Sequence, residues 1–103
     1  MNFIPLEAAP NQRLRIPLAG SRYELEIKKA AHIMCVTIIR DGLTLVEGLR
    51  CVAGSPLIPY PYLATSGNFI FLTENDELPD WRKFGSTQSL VFASAAELEA
   101  LNV

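Results

Sequence analysis

Polar and apolar residues alternate along much of residues 13–28, which is the pattern of half-buried β-strands. The alternation occurs in two runs, residues 13–18 and 22–28, which are joined by the short connection Ala19-Gly20-Ser21. We therefore predict a β-hairpin whose first strand lies at an edge or is bulged, because Pro17 has no N–H to donate. The side chains expected to face the core are Leu14, Ile16, Leu18, Tyr23, Leu25 and Ile27.

Two later runs, residues 32–40 and 68–72, are apolar on both faces. They are rich in β-branched or aromatic residues and too short for a typical buried helix, so we predict strands covered on both sides. Part of that cover could come from another chain. Asp41-Gly42 predicts a type I′ turn after the first run, with residues 43–46 returning as its partner strand. Residues 49–52 are compatible with another short strand, and residues 89–92 predict the last one.

Residues 55–63 have a different pattern, because three prolines in six positions exclude a continuous hydrogen-bonded ladder. We predict an extended, irregular crossover there. Four of its side chains are expected to pack against apolar surface: Leu57, Ile58, Tyr60 and Tyr62.

The C-terminal residues change to a helical period. Ser94 and Glu97 have the spacing of a capping box, so residues 94–103 predict a short helix or tail. Turn signals elsewhere arrive at short intervals, which favours an all-β fold over βαβ units. The predicted fold class is a small antiparallel β-barrel or sandwich with a short C-terminal helix, in which residues 1–93 form a single β domain.

Length and charge exclude several classes of protein. With 103 residues the chain has room for one domain. Nine Lys and Arg against eleven Asp and Glu give a net charge of −2, which argues against a nucleic-acid binder. The apolar runs are far shorter than the roughly 20 residues of a membrane helix, and residues 1–7 lack the features of a signal peptide. We therefore expect no membrane partner, no secretion, and synthesis in a cytoplasm-like compartment.

The sequence predicts no catalytic, cofactor-binding or metal-binding residues, and no enzyme. His32 is the only histidine, and on a strand Cys35 would face the opposite side from it. The acidic residues 74–80 lack the glycine of a calcium-binding loop, so a solvated turn is predicted. Cys35 and Cys51 are expected to be free thiols. The Arg and Glu residues of the first hairpin predict a salt-bridged, solvated face, with a partner-binding face as the alternative.

Aromatic residues near the prolines are the most suggestive surface feature. Tyr and Trp are enriched in protein interfaces, because they combine a large contact area with a polar tip. We predict partner contacts at Tyr60, Tyr62, Trp81 and Phe84. The alternative is that these residues pack the crossover onto the β domain, and both roles can hold together.

An ordered set of local motifs across residues 3–92 resembles the phage baseplate plug family, small structural proteins of contractile-tailed phages typified by a cyanophage plug. No single motif is specific, and their order in a chain of this length carries the resemblance. The motifs are Ile4-Pro5-Leu6, Pro10-Asn11-Gln12, Leu18-Ala19-Gly20, Tyr23, Asp41-Gly42, Gly48, Val52-Ala53-Gly54, Leu57, Tyr62-Leu63, Gly67, Phe84-Gly85-Ser86-Thr87 and Leu90.

The resemblance implies a structural plug in the tail baseplate of a phage or prophage virion, made in the host cytoplasm. It also implies packing against the hub and spike proteins and a mostly antiparallel β fold. The acidic loop at 74–81 and the tail at 94–103 depart from the family pattern. The residues themselves leave a second reading open, a small β-barrel module that binds a ligand or peptide in an apolar cavity. They also leave open whether the chain is a homo-oligomer.

Overall fold

Seven strands form two antiparallel sheets in the computed structural model, which describes residues 1–101. One sheet has four strands in the order β2-β3-β4-β5 and the other has three in the order β1-β7-β6. The sheets are not closed into a barrel, so the sandwich prediction fits and the barrel is not confirmed. The strands are β1 (Asn2–Ile4), β2 (Asn11–Leu18), β3 (Ser21–Ala30), β4 (Ile33–Arg40), β5 (Leu43–Arg50), β6 (Gly67–Leu72) and β7 (Ser89–Ser94).

The four-stranded sheet is a meander of hairpins, as the alternating pattern predicted. Ala19 and Gly20 have φ values of 50° and 79°, and Asp41 and Gly42 have 50° and 83°. Positive φ at both turn residues is the type I′ geometry, whose twist matches that of the flanking strands. The predicted core face of β3 is confirmed, because its three large side chains are at most 1% exposed: Tyr23, Leu25 and Ile27.

The prediction that β4 is covered on both faces is wrong for the chain by itself. Its inner face is buried, but Ile33, Cys35 and Ile39 on the outer face are only half-buried. This outer face lies beside charged side chains of β3, and within residues 1–101 no second layer covers it fully. In contrast, β6 is buried on both faces except at Leu72, which is 42% exposed.

Strand β5 is longer and less regular than predicted, since residues 43–46 and 49–50 belong to one bulged strand. The pairing with β4 shifts register twice, so consecutive residues Leu45 and Val46 are both buried. A bulge places two residues opposite one, which lets adjacent side chains point inward. Gly48, with φ of 61°, donates its N–H to Thr37 Oγ1 at 3.0 Å within this irregular region.

The core lies between the two sheets and is rich in aromatic rings. The ring of Tyr23 lies 5.3 Å from that of Phe69 and 5.6 Å from that of Phe92. Phe71 stacks on Phe84 at 5.7 Å. These rings join the sheets and fill the space in which a ligand-binding barrel would have an open cavity.

The C-terminal helix, α1 (Ala95–Leu101), confirms the predicted capping box. Glu97 Oε1 accepts from the Ser94 N–H at 3.0 Å, and Ser94 Oγ accepts from the Glu97 N–H at 3.2 Å. Residues 102–103 of the predicted helix or tail lie outside the described residues. No helix in the described part of the chain is both long and apolar enough to cross a membrane.

Candidate functional site

Tyr60 and Tyr62 lie side by side on the crossover, at a single 3-10 turn formed by Pro61–Leu63. Their rings are 5.8 Å apart, and the residues are 51% and 72% exposed. The packing expected for Leu57 and Ile58 is confirmed, because they are 1% and 3% exposed, whereas the two tyrosine rings lie against each other and stay largely in solvent. We call Tyr60 and Tyr62 the tyrosine pair.

The crossover that carries the tyrosine pair is held by specific hydrogen bonds. The buried side chain of Asn68 accepts from the Ile58 N–H and donates to the Ile58 carbonyl, both at 2.8 Å. The Leu57 N–H donates to the Phe69 carbonyl at 2.8 Å, so the crossover borders β6 much as a further strand would. On the other side, Arg40 Nη1 donates to the Leu63 carbonyl at 2.8 Å.

Trp81 lies in a different place, on the 3-10 turn Trp81–Lys83. Asp80 Oδ1 caps this turn by accepting from the Arg82 N–H at 3.1 Å, and the Arg82 guanidinium lies 5.6 Å from the Trp81 ring centroid. The indole Nε1 is buried and has no hydrogen-bond partner among the described residues. The half-buried ring borders a depression of about 180 Å³ that Lys29 and His32 also line.

A second buried amide, that of Gln88, holds the acidic loop that precedes Trp81. Its Oε1 accepts from the Asp80 N–H at 2.7 Å, and its Nε2 donates to the Leu78 carbonyl at 3.1 Å. Lys83 Nζ lies 2.8 Å from Glu77 Oε2. The hydrogen bond from Lys83, with a smaller contribution from that of Gln88, lowers the pKa of Glu77. Among residues 1–101, no group of three or more His, Cys, Asp or Glu side chains is placed to hold a metal ion.

Phe84 does not fit the predicted partner contact, because it is only 4% exposed and stacks on Phe71 in the core. The remaining predicted residues are not brought together. The tyrosine pair is attached near Arg40 at the end of β4, whereas Trp81 lies beside Met34 near its start. At about 3.4 Å per residue, these two places are roughly 20 Å apart.

A third exposed apolar surface was missed by the sequence reasoning. It lies at β1, where Met1 and Phe3 are 51% and 70% exposed. Phe3 lies opposite Val91, which lies opposite Ile70 on β6, so an exposed ring borders a buried apolar row. A three-residue strand is too short to show a clear period, and no sequence pattern marked it.

The outer face of β2 and β3 carries the predicted ladder of ion pairs. Arg13 lies 2.6 Å from Glu26, Arg15 lies 2.9 Å from Glu24, and Lys28 lies 2.6 Å from Glu26. Hydrogen bonds from Lys28 and Arg13 lower the pKa of Glu26. The cationic side chains of these pairs are 58–79% exposed, so the ladder contributes little to stability.

Both thiols are free, as expected. Burial, with a smaller contribution from Cys35, raises the pKa of the Cys51 thiol to about 12. Because the thiolate is the reactive form, Cys51 is inert at neutral pH. It behaves as an apolar core residue at the end of β5.

Two packed sheets with exposed aromatic side chains outside the core define this chain as a small antiparallel β-sandwich protein with candidate contact surfaces. A family model described as cyanophage baseplate Pam3 plug gp18 matches residues 1–95, and the chain belongs to that family. The predicted family resemblance is thus confirmed. Membership indicates a phage baseplate plug, a structural component of the virion tail. A search of curated proteins found no match.

Proposed function

We propose that this chain is the plug of a contractile-tail baseplate in a phage or prophage, where it packs against the hub and spike proteins. The single observation that carries the proposal is the family match over residues 1–95. This role requires no catalytic residues, because a plug acts through its shape and its contacts.

The tyrosine pair supports the proposal as the first surface to test. Two exposed aromatic rings on a crossover tied to β4 and β6 offer contact area whose position is already fixed. Fixing the contact residues before binding reduces the entropy lost on association. Trp81 is a second proposed contact, because its half-buried ring borders the depression that Lys29 and His32 also line.

The test is complementation of an in-frame deletion in the phage or prophage that encodes the chain. Tails made with the wild-type chain should contain it at the hub by electron cryomicroscopy, and the deletion should reduce the yield of complete baseplates. Replacing the tyrosine pair by alanine should lower incorporation of the chain by about tenfold, the effect of losing roughly 1.4 kcal/mol of contact energy.

A matched control is Val52→Ala, which shortens an apolar side chain that is 37% exposed and lies outside the three surfaces. It should leave incorporation unchanged. Absence of the wild-type chain from purified tails would refute the proposed function. Normal incorporation of the double alanine variant would instead remove the tyrosine pair from the contact surface.

The second candidate, a module that binds a ligand or peptide in a barrel, loses support from the open sheets and the aromatic core.

A further inference from the structure

The two sheets have four edges, and three of them are protected against pairing with another strand. The β2 edge contains Pro17 and two ion-paired arginines, and the β5 edge is bulged. The β6 edge is covered by the crossover, which forms bridges at Ala53 and Pro56. Proline, charge, bulges and covering segments are the usual means by which proteins prevent strand addition.

The fourth edge, β1, has none of these four protections, and only its length of three residues limits strand addition. Its sequence Asn2-Phe3-Ile4 contains no charge and no proline. Within residues 1–101, no backbone hydrogen bond reaches it from the side opposite β7.

The ladder directions show which backbone groups β1 presents at this edge. The carbonyls of Phe69 and Phe71 accept hydrogen bonds from the crossover, so the backbone N–H and C=O groups of these two residues point away from β7. The side to which the backbone N–H and C=O point alternates from one residue to the next along an antiparallel strand. The backbone groups of Ile70 therefore point to β7, and those of its partner Val91 point to β6. Val91 therefore turns away from β1, and Phe3, which lies opposite it, directs its N–H and C=O to the open edge.

Phe3 thus combines an outward donor and acceptor with a side chain that is 70% exposed on the outer face of the sheet. An extended backbone matches this geometry, because it can exchange both hydrogen bonds with Phe3 and place an apolar side chain beside the ring. We propose that β1 accepts an extended segment of a neighbouring baseplate protein as a fourth strand of the three-stranded sheet. The proposal rests on the proposed function.

A second copy of the chain fits this edge less well. The exposed portions of Met1 and Phe3 amount to roughly 250 Å² of apolar surface, given the size of such side chains. A stable protein interface buries about 800 Å² on each partner. The edge therefore suits one contact among several in an assembly, and the isolated chain should be a monomer through this surface.

The first test compares amide hydrogen exchange of residue 3 in the isolated chain and in purified tails. Strand addition should slow exchange of the Phe3 amide by at least about tenfold in tails, while the Ala19-Gly20 turn should change less. If the chain is present in tails and the Phe3 amide exchanges as in the isolated chain, the strand-addition proposal fails and the proposed function stands. If the chain is absent from tails, both fail.

The second test separates the hydrogen bond from the apolar contact. Phe3→Pro removes the outward N–H without removing a bond to β7, whereas Phe3→Leu keeps the N–H and an apolar side chain. We expect the proline variant to be incorporated into tails at least about threefold less than the leucine variant, with both folded by circular dichroism. Equal incorporation would overturn the proposal. So would a concentration-dependent dimer of the isolated chain that Phe3→Pro abolishes, because the occupant would then be a second copy. If Phe3→Pro does not fold, the exchange measurement decides.

Discussion

Truncating Asn68 to alanine should destabilise the protein more than its small volume suggests. The side chain is 4% exposed and makes three hydrogen bonds of 2.8 Å, with the N–H and carbonyl of Ile58 and with the N–H of Phe69. Alanine removes all three. Ile58 is itself only 3% exposed, so water has little access to the groups that lose their partner.

The expected cost follows from the groups left without partners. A buried donor or acceptor that loses its hydrogen bond costs about 1–3 kcal/mol. Three buried backbone groups lose their partner, namely the N–H and carbonyl of Ile58 and the N–H of Phe69, and partial entry of water into the vacated space lowers the sum. We expect a loss of about 3 kcal/mol in the free energy of unfolding, a large share of the roughly 5–15 kcal/mol typical of a domain.

The assay is urea denaturation followed by tryptophan fluorescence and circular dichroism, and Gln12→Ala is the matched control. Gln12 also makes three bonds, accepting from the Glu7 N–H at 3.0 Å and donating to the carbonyls of Glu7 at 2.8 Å and Ala9 at 3.3 Å. These groups are close to solvent, so water can replace the amide and the cost should be at most about 1 kcal/mol. Equal losses in the two variants would refute the reasoning from burial.

Four other outcomes follow from the structure. Gly67→Ala should cost at least about 3 kcal/mol in urea denaturation, because Gly67 has a φ of 146° and an added Cβ would collide with a neighbouring carbonyl and ring; a loss below about 1 kcal/mol would contradict the geometry. Tyr23→Phe should leave the stability unchanged or raise it by up to about 1 kcal/mol, since its buried hydroxyl has no partner among the described residues; a large loss would show a hidden bond. Native alkylation at pH 8 should label the half-buried Cys35 and spare Cys51, and mass spectrometry of Cys35→Ser should show no label until the protein unfolds. A bond from the N-terminal ammonium lowers the pKa of Glu97 to about 2, so the ionised carboxylate stabilises the fold above about pH 4.5, and this contribution is lost as the pH falls towards 2. The difference in the free energy of unfolding between wild type and Glu97→Gln should therefore shrink in acid. A difference that stays constant with pH would oppose the assignment.

The hairpins were predictable because their causes are local. A two-residue period places Tyr23, Leu25 and Ile27 on one face, and Asp41-Gly42 adopts the positive φ values that its turn requires. Ser94 and Glu97 likewise interact across one helical turn, so their spacing in the chain is sufficient to predict the cap.

Features that depend on distant partners were not predictable from the pattern. Phe84 is an aromatic residue beside a polar loop, and only the stacking on Phe71 places it in the core. The register shift near Leu45 similarly depends on the pairing of β5 with β4, and it decides that Leu45 and Val46 both turn inward. A run of apolar residues also does not show which face another layer will cover, as the outer face of β4 illustrates.

The two buried amides connect the core to the proposed contact surfaces. Asn68 fixes the segment that leads to the tyrosine pair, and Gln88 fixes the loop that leads to Trp81. Asn68 lies on β6 and Gln88 directly precedes β7, so the three-stranded sheet positions the segments on which these aromatic residues lie. A segment held by buried hydrogen bonds loses less conformational freedom on binding than a free loop of the same sequence. Loss of Asn68 should therefore weaken the proposed tail contact even at temperatures where the variant remains folded, because the tyrosine pair would no longer be held in one position.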